Sequence, residues 1–205
     1  AADLKVRGAP EVAVLRADFA ALATLPALAE SAWSQFGGLD AALLAYGTMA
    51  EQREAEQDAA LAATMLAVNF TSAALLLNAL AARFEARRHG VLAAITSVAG
   101  DRGRKSNYVY GAAKAGLQRF LEGLRHRLAA AGVAVVDVRP GFTLTKMTAH
   151  LGGSGPLWAS PDKVAADIVR AIGKGQAVCY TPWFWRLIML IIRALPRFVF
   201  HRTSL

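Results

Sequence analysis

Short apolar runs separated by long alanine-rich, amphipathic stretches set the plan of the chain. Leu39–Ala45 is continuous apart from Asp40, Val91–Thr96 follows, then Val133–Val138, and Ala177–Tyr180 closes the series. Runs of this length, bounded by turn residues and rich in valine, read as buried strands of the parallel type. Glu11–Arg16 reads as a further short strand. Helical patterns lie between the runs. Ala20–Phe36 ends at Gly37-Gly38, Ala59–Arg88 ends at His89-Gly90, and a helix containing Tyr110 runs to about Ala131 and stops at Gly132. Ser160-Pro161-Asp162 caps a helix to Ile172, with proline at its first position. Glu51–Gln57 is polar and reads as a loop or first helical turn. Lys146–Ser160, with Gly152-Gly153-Ser154-Gly155-Pro156, reads as a flexible lid. Alternating strand and helix is the pattern of an α/β domain.

Composition narrows this. The chain has 205 residues, enough for one domain with a real core, and 55% of them are hydrophobic against 19% charged, which excludes disorder. Cys179 is the single cysteine, so no internal disulfide forms, no zinc site is expected, and a reducing cytoplasm fits. The first fifteen residues have no signal-peptide pattern. The formal net charge is +8, but the basic residues are scattered and no nucleic-acid motif accompanies them. Solvated helix faces, an anionic cofactor or an anionic membrane surface use such charge better.

The candidate chemistry lies in the stretch from Ser97 to Lys114. Ser97 ends an apolar strand, and Tyr110 and Lys114 are four apart, one turn from each other on the following helix. A phenol is a poor acid–base group at neutral pH, and a neighbouring ammonium is expected to lower its pKa. A serine hydroxyl can hold the oxygen that gains or loses the proton. Asn69 stands in mid-helix, where asparagine is unfavourable, so it reads either as a satisfied buried amide or as a functional group.

Ser97, Tyr110-x-x-x-Lys114, Val68-Asn69-Phe70 and Arg139-Pro140-Gly141, in this order, resemble the short-chain dehydrogenase/reductase family from about residue 10 to about 180. The resemblance implies a Rossmann-type doubly wound parallel sheet with helices on both faces, over a catalytic domain of residues 1–182. It implies hydride transfer between a nicotinamide, NAD or NADP, and a carbonyl or alcohol carbon. Tyr110 would be the acid–base, Ser97 would position the substrate oxygen, Lys114 would bind the ribose and lower the Tyr110 pKa, and Asn69 would hold a water on the proton path. Asp18 would meet the adenine, although it also reads as a helix N-cap. Ala45-Tyr46-Gly47 stands where the family has Asn-Ala-Gly, so Ala45 and Tyr46 depart while Gly47 fits. Pro140, Gly141, Thr143 and Thr145 match the segment that meets the nicotinamide carboxamide. Family members pair long helices into dimers or tetramers, here through Ala59–Arg88 and Asn107–Ala131, with Ala112, Ala113, Ala115 and Gly116 permitting close approach.

The family's glycine fingerprint, Thr-Gly-x-x-x-Gly-x-Gly, is absent. The resemblance therefore implies a chain lacking its first two strands, with exposed sheet edges, and it leaves open a non-catalytic scaffold or binding protein at a membrane surface. Residues 183–205 form an apolar and basic tail. Trp183 to Leu195 is too short to span a bilayer, which takes about 20 apolar residues. It reads either as an interfacial helix anchored by Trp183 and Trp185 or as a helix packed on the protein. The tail and Ala45-Tyr46-Gly47 look similar to reductases of lipid-linked keto-sugars, which would put a lipid-linked substrate and peripheral contact at the inner membrane face.

Overall fold

The computed structural model describes residues 1–203, without the side chains of His150 and Leu151. Its centre is a four-stranded, fully parallel sheet of β1 (Ala41–Leu44), β2 (Val91–Ile95), β3 (Ala134–Pro140) and β6 (Val178–Thr181), in the order β1-β2-β3-β6. A two-stranded parallel ribbon, β4 (Phe142–Thr143) with β5 (Trp158–Ala159), stands beside it. The helices are α1 (Ala2–Val6), α2 (Leu25–Trp33), α3 (Gln52–Gln57), α4 (Ala59–Leu66), α5 (Ser72–Arg87), α6 (Tyr108–Leu128), α7 (Pro161–Gly173), α8 (Trp185–Ala194) and α9 (Arg197–Phe200).

Period-two alternation along the strands divides the core into two layers. Leu44, Leu92, Ala94 and Val135 join Leu77, Leu80 and Phe84 of α5 and Leu117, Leu121 and Leu124 of α6. Ala93, Val136, Val138 and Cys179 face Val164, Ile168 and Ala171 of α7. Helices on both faces of a parallel sheet make this the expected Rossmann-like fold. A third cluster joins Trp185, Met189 and Ile192 of α8 to Val98, directly after Ser97.

Several sequence expectations are corrected. Glu11–Arg16 forms no strand: residues 9 to 18 carry no strand or helix, and β1 has no partner on its outer side among the described residues. A strand needs a neighbour for its N–H and C=O groups. Instead Phe19 stacks on Tyr46 with ring centroids 3.7 Å apart, and a groove of about 670 Å³ lined by Leu15, Phe19, Leu28 and Leu44 runs along the open edge. Gln52–Gln57 is a helix, and Asp58 starts the next one by accepting from the N–H groups of Ala60 (2.8 Å) and Leu61 (3.1 Å). The long helix expected over Ala59–Arg88 is interrupted by a wider π turn at Ala67–Thr71, and it ends on Arg88 in the left-handed conformation, before His89-Gly90. The stretch Ala59–Arg87 is long and apolar enough to cross a membrane, but here it is a core element packed against α6 and β2. The glycine-rich segment after Thr145 is not a bare flexible loop: it begins as a 3₁₀ helix, Lys146–Leu151, with a capping box at Thr145, and returns through β5 to pair with β4.

Candidate active site

The site lies at the carboxyl edge of the sheet, where open α/β sheets bind ligands. β2 delivers Ser97 there. Its hydroxyl accepts from the Ala99 N–H at 3.0 Å and so opens a short 3₁₀ turn, Val98–Gly100. Gly100 allows that turn to touch α6: a Cβ on it would lie 2.8 Å from the Ala115 N and from the Gln118 Nε2. Gln118 in turn donates to the Ser97 carbonyl at 2.8 Å. At the head of α6, the Val109 N–H donates to Gln52 Oε1 at 3.2 Å, so α3 fixes the helix that carries Tyr110 and Lys114.

Lys114 is 3% exposed. Its ammonium donates to the Ile95 carbonyl at 3.0 Å and lies 5.6 Å from the centre of the Tyr110 ring, over its face. Burial pulls the Lys114 pKa down to about 8, against the opposing pull of the Asp137 carboxylate. Asp137 is itself buried, accepting from Thr96 Oγ1 at 2.6 Å and paired with Arg139 at 2.7 Å. Burial pushes the Tyr110 phenol up to about 12, and hydrogen bonding from Ser97 pulls the other way. The expected lowering of the phenol is thus reversed here: the ammonium faces the ring, and desolvation of the phenolate outweighs the help from the serine.

Asn69 sits in the π turn and is the satisfied amide. Its Nδ2 donates to the carbonyls of Thr48 (2.7 Å) and Met65 (2.9 Å), and its Oδ1 accepts from the Thr48 N–H (3.2 Å). Both amide hydrogens are spent on backbone, so the side chain has no donor left for a water. What it does is hold Gly47-Thr48 against α4. A Cβ on Gly47 would meet Asn69 Oδ1 at 2.7 Å and Lys114 Nζ at 3.5 Å, so only glycine fits and the strip beside Lys114 stays open.

The other expected cofactor residues are divided. Asp18 is exposed and accepts from the Ala20 N–H at 2.8 Å in a local turn, and the expected N-cap is corrected, since the helical turn that follows starts from Ala21 with no side-chain cap. Ala45 is exposed at the end of β1, and the Tyr46 hydroxyl pairs with Ser72 Oγ at 3.0 Å. Pro140 ends β3, and the Gly141 N–H is spent on the Thr181 carbonyl at 3.0 Å. Gly141 is tightly enclosed: an added Cβ would lie 1.9 Å from Trp185 Nε1. Thr143 lies in the ribbon, paired with Ala159, and Thr145 is exposed and spent on its capping box with Thr148. Sequence reasoning missed Gln118, Gln52, Asp137 and Arg104, all buried polar residues. Gln118 was within reach, because Tyr110, Lys114 and Gln118 repeat every four residues on one face.

A short chain dehydrogenase model matches residues 1–153. The chain belongs to the short-chain dehydrogenase family. It is 39% identical over 202 residues to an uncharacterized oxidoreductase of Mycobacterium tuberculosis, covering 98% of this chain and 81% of that one. An uncharacterized oxidoreductase of Streptomyces coelicolor is 34% identical over 81% of this chain and 65% of its own. Among solved structures, a 3-oxoacyl-[acyl-carrier protein] reductase from Brucella melitensis in complex with NAD superposes with a TM-score of 0.76 at 25% identity, over 87% of this chain and 79% of that one. A short-chain dehydrogenase from Sphingobium yanoikuyae in complex with NADPH shares the fold, with a TM-score of 0.75 at 21% identity over 96% of this chain and 81% of that one. This short-chain dehydrogenase is accordingly an oxidoreductase that uses a nicotinamide cofactor. Unspent donors stand beside Gly47 that a hydroxyl-bearing group of such a cofactor could use. Lys114 makes one protein hydrogen bond among the described residues and has two N–H groups to spare, and Gly47 leaves room beside it. Among the described residues no glycine-rich strand-to-helix turn is present to hold a pyrophosphate.

Proposed function

We propose that the site catalyses carbonyl reduction and the reverse alcohol oxidation, with Tyr110 as the group that gives and takes the proton. The carrying observation is that Ser97, Tyr110 and Lys114 are brought together at one end of the sheet while Lys114 stays buried with donors unspent. Tyr110 holds its proton at neutral pH, as a donor in reduction must, but a phenol pushed up to about 12 is a weak acid, so the transfer depends on Ser97 and a charged Lys114 favouring the phenolate as it forms. Ser97 binds and orients the substrate oxygen. Lys114 would hold ribose hydroxyls and, while charged, favour the phenolate left behind. The bound nicotinamide supplies the hydride. Asn69 and Gln118 are positioning residues, acting through Gly47-Thr48 and Ser97. The test is Tyr110→Phe in the full chain. Turnover is expected to fall about 10²–10⁴-fold with cofactor affinity retained. Rates close to wild type would overturn the assignment.

The substrate reading extends to the tail. Trp183, Leu187, Leu190 and Ile191 are exposed, and among the described residues Arg186 and Arg193 beside them make no ion pair. This face supports a peripheral contact with an anionic membrane, where a lipid-linked carbonyl compound would be met.

A further inference from the structure

Along β3, valines fill both faces of the strand until Asp137. Val135 joins the layer under α5 and α6, Val136 and Val138 face α7, and Asp137 is 1% exposed. By alternation Asp137 shares the α6 side with Val135. A carboxylate is out of place in a buried parallel strand, where an apolar side chain of similar size packs at less cost. Stability alone does not call for it.

The carboxylate is held from two sides. Its Oδ1 accepts from Thr96 Oγ1 at 2.6 Å, and its Oδ2 accepts from Arg139 at 2.7 Å. Arg139 also donates to Asp101 at 2.9 Å, and Asp101 accepts from the Tyr180 hydroxyl at 2.7 Å. Thr96 precedes Ser97 and Asp101 closes the turn after it, so these groups tie the serine to β3 and β6 on both sides. Two enclosed carboxylates thus share Arg139. Each acts on a second buried cation, Asp101 on Arg104 and Asp137 on Lys114. Lys114 stands on α6, over the same side of the sheet, with its ammonium on the Ile95 carbonyl, one residue before Thr96. Its other surroundings among the described residues are neutral: the Tyr110 ring, which keeps its phenolic proton, and the Asn69 amide across Gly47. Arg125, further along α6, is also acted on by Asp137 and donates to the Val135 carbonyl at 2.9 Å.

We propose that Asp137 is a positioning residue for the reaction, the fixed counter-charge that keeps Lys114 an ammonium at neutral pH, able to hold a cofactor hydroxyl and to favour the phenolate of Tyr110. The role in the reaction rests on the reductase reading, and the charge pairing does not. An ammonium buried without a counter-charge sheds its proton. Burial draws Lys114 down to about 8, and Asp137 opposes a further fall.

Two measurements on the full chain test this, and the first needs no turnover. Asp137→Asn keeps an acceptor for Thr96 and removes the charge. In the wild type the denaturation midpoint is expected to start climbing near pH 8, where native Lys114 loses a proton that the unfolded chain keeps. In Asp137→Asn the climb is expected to start about one pH unit lower or more, and in Lys114→Met to be absent. A climb that starts at the same pH in Asp137→Asn as in the wild type overturns the proposal. If Asp137→Asn does not fold, Asp137→Asn with Lys114→Met is expected to fold, since the lysine left unpaired is gone. A double variant as unfolded as the single one overturns the pairing. The second measurement is the affinity for NADH and NADPH by fluorescence titration across the same pH range. Affinity is expected to fall as Lys114 loses its proton, and that fall to move with the climb, leaving Asp137→Asn about 5-fold weaker than wild type at pH 8. Cofactor affinity with the wild-type pH dependence in Asp137→Asn would make the pair structural and also overturn the proposal. If the wild type binds neither cofactor while the climb moves as expected, the ribose reading of Lys114 fails and the counter-charge stands.

Discussion

Tyr110 and Lys114 are displaced in opposite directions by the same burial, and stability should record it. Lys114 titrates near 8 in the fold against 10.5 in its ordinary state. Between these values the unfolded chain binds the proton and the native chain does not, so stability rises as pH rises from about 8. Tyr110 acts with the opposite sign, because its native value near 12 lies above the ordinary 10, and stability falls as pH climbs from about 10 towards 12. The denaturation midpoint is therefore expected to climb between pH 8 and 10. In Lys114→Met that climb should vanish, and the variant should be more stable at pH 7 by on the order of 3 kcal/mol. A wild-type midpoint that falls between pH 8 and 10 contradicts the burial of Lys114. Gly141 offers a steric counterpart. Gly141→Ala would drive a methyl into the Trp185 indole, and a loss of about 3 kcal/mol or more is expected by urea titration, with the tail displaced.

At the scale of elements, the π turn at Ala67–Thr71 and the tail helix α8 serve the site from opposite sides. In the π turn, the Asn69 amide bonds three backbone groups, of Thr48 and Met65. Asn69→Ala strands them in a buried place, and a loss of about 2–4 kcal/mol is expected in chemical denaturation. A change below 1 kcal/mol would mean that the turn does not depend on the amide. From the tail, Trp185, Met189 and Ile192 pack on Val98, while Phe142 stacks on Trp158 and meets Trp185 edge-on at 5.2 Å. The tail is thus joined both to the serine loop and to the ribbon that follows Gly141. Cutting the chain after Tyr180 would remove core side chains, so it is a poor probe of any membrane role.

For the whole molecule, Trp183 and Trp185 separate the two readings of the tail. Trp183 is 70% exposed and Trp185 2% exposed. The joint anchoring expected from the sequence is corrected: Trp185 belongs to the core, and Trp183 with Leu187, Leu190 and Ile191 forms the outer face. Leu187→Ser with Leu190→Ser leaves the packed face of α8 intact. Sedimentation with anionic vesicles is expected to weaken in this double variant and with added salt. Equal pelleting of wild type and variant would exclude α8 as the contact. Of the small residues expected to permit close helix approach between copies, Ala113 is buried within the chain and a Cβ on Gly116 would lie 3.3 Å from the Phe70 ring of the same chain, while Ala112 is exposed and Ala115 half-buried.

The parallel core was legible because burial on both faces leaves continuous apolar runs: Leu39–Ala45 and Val91–Thr96 contain the strands observed, and Val133–Val138 overlaps β3, which runs on to Pro140. Tyr110 and Lys114 were legible because helical spacing alone puts them on one face. Glu11–Arg16 was misread because local pattern cannot say whether a neighbouring strand exists, and backbone pairing is a tertiary fact. Asn69 was ambiguous because an amide's role depends on which backbone groups it meets, and these lie 21 residues away at Thr48. The pKa values were decided only by the fold. Proximity in sequence argued for a lowered phenol, but desolvation, which no spacing reveals, moved it up. Arg104 is the same lesson in charge. In the sequence it is one basic residue among Arg102, Arg104 and Lys105, and only the tertiary structure buries it, with its Nε lacking a hydrogen-bond partner among the described residues.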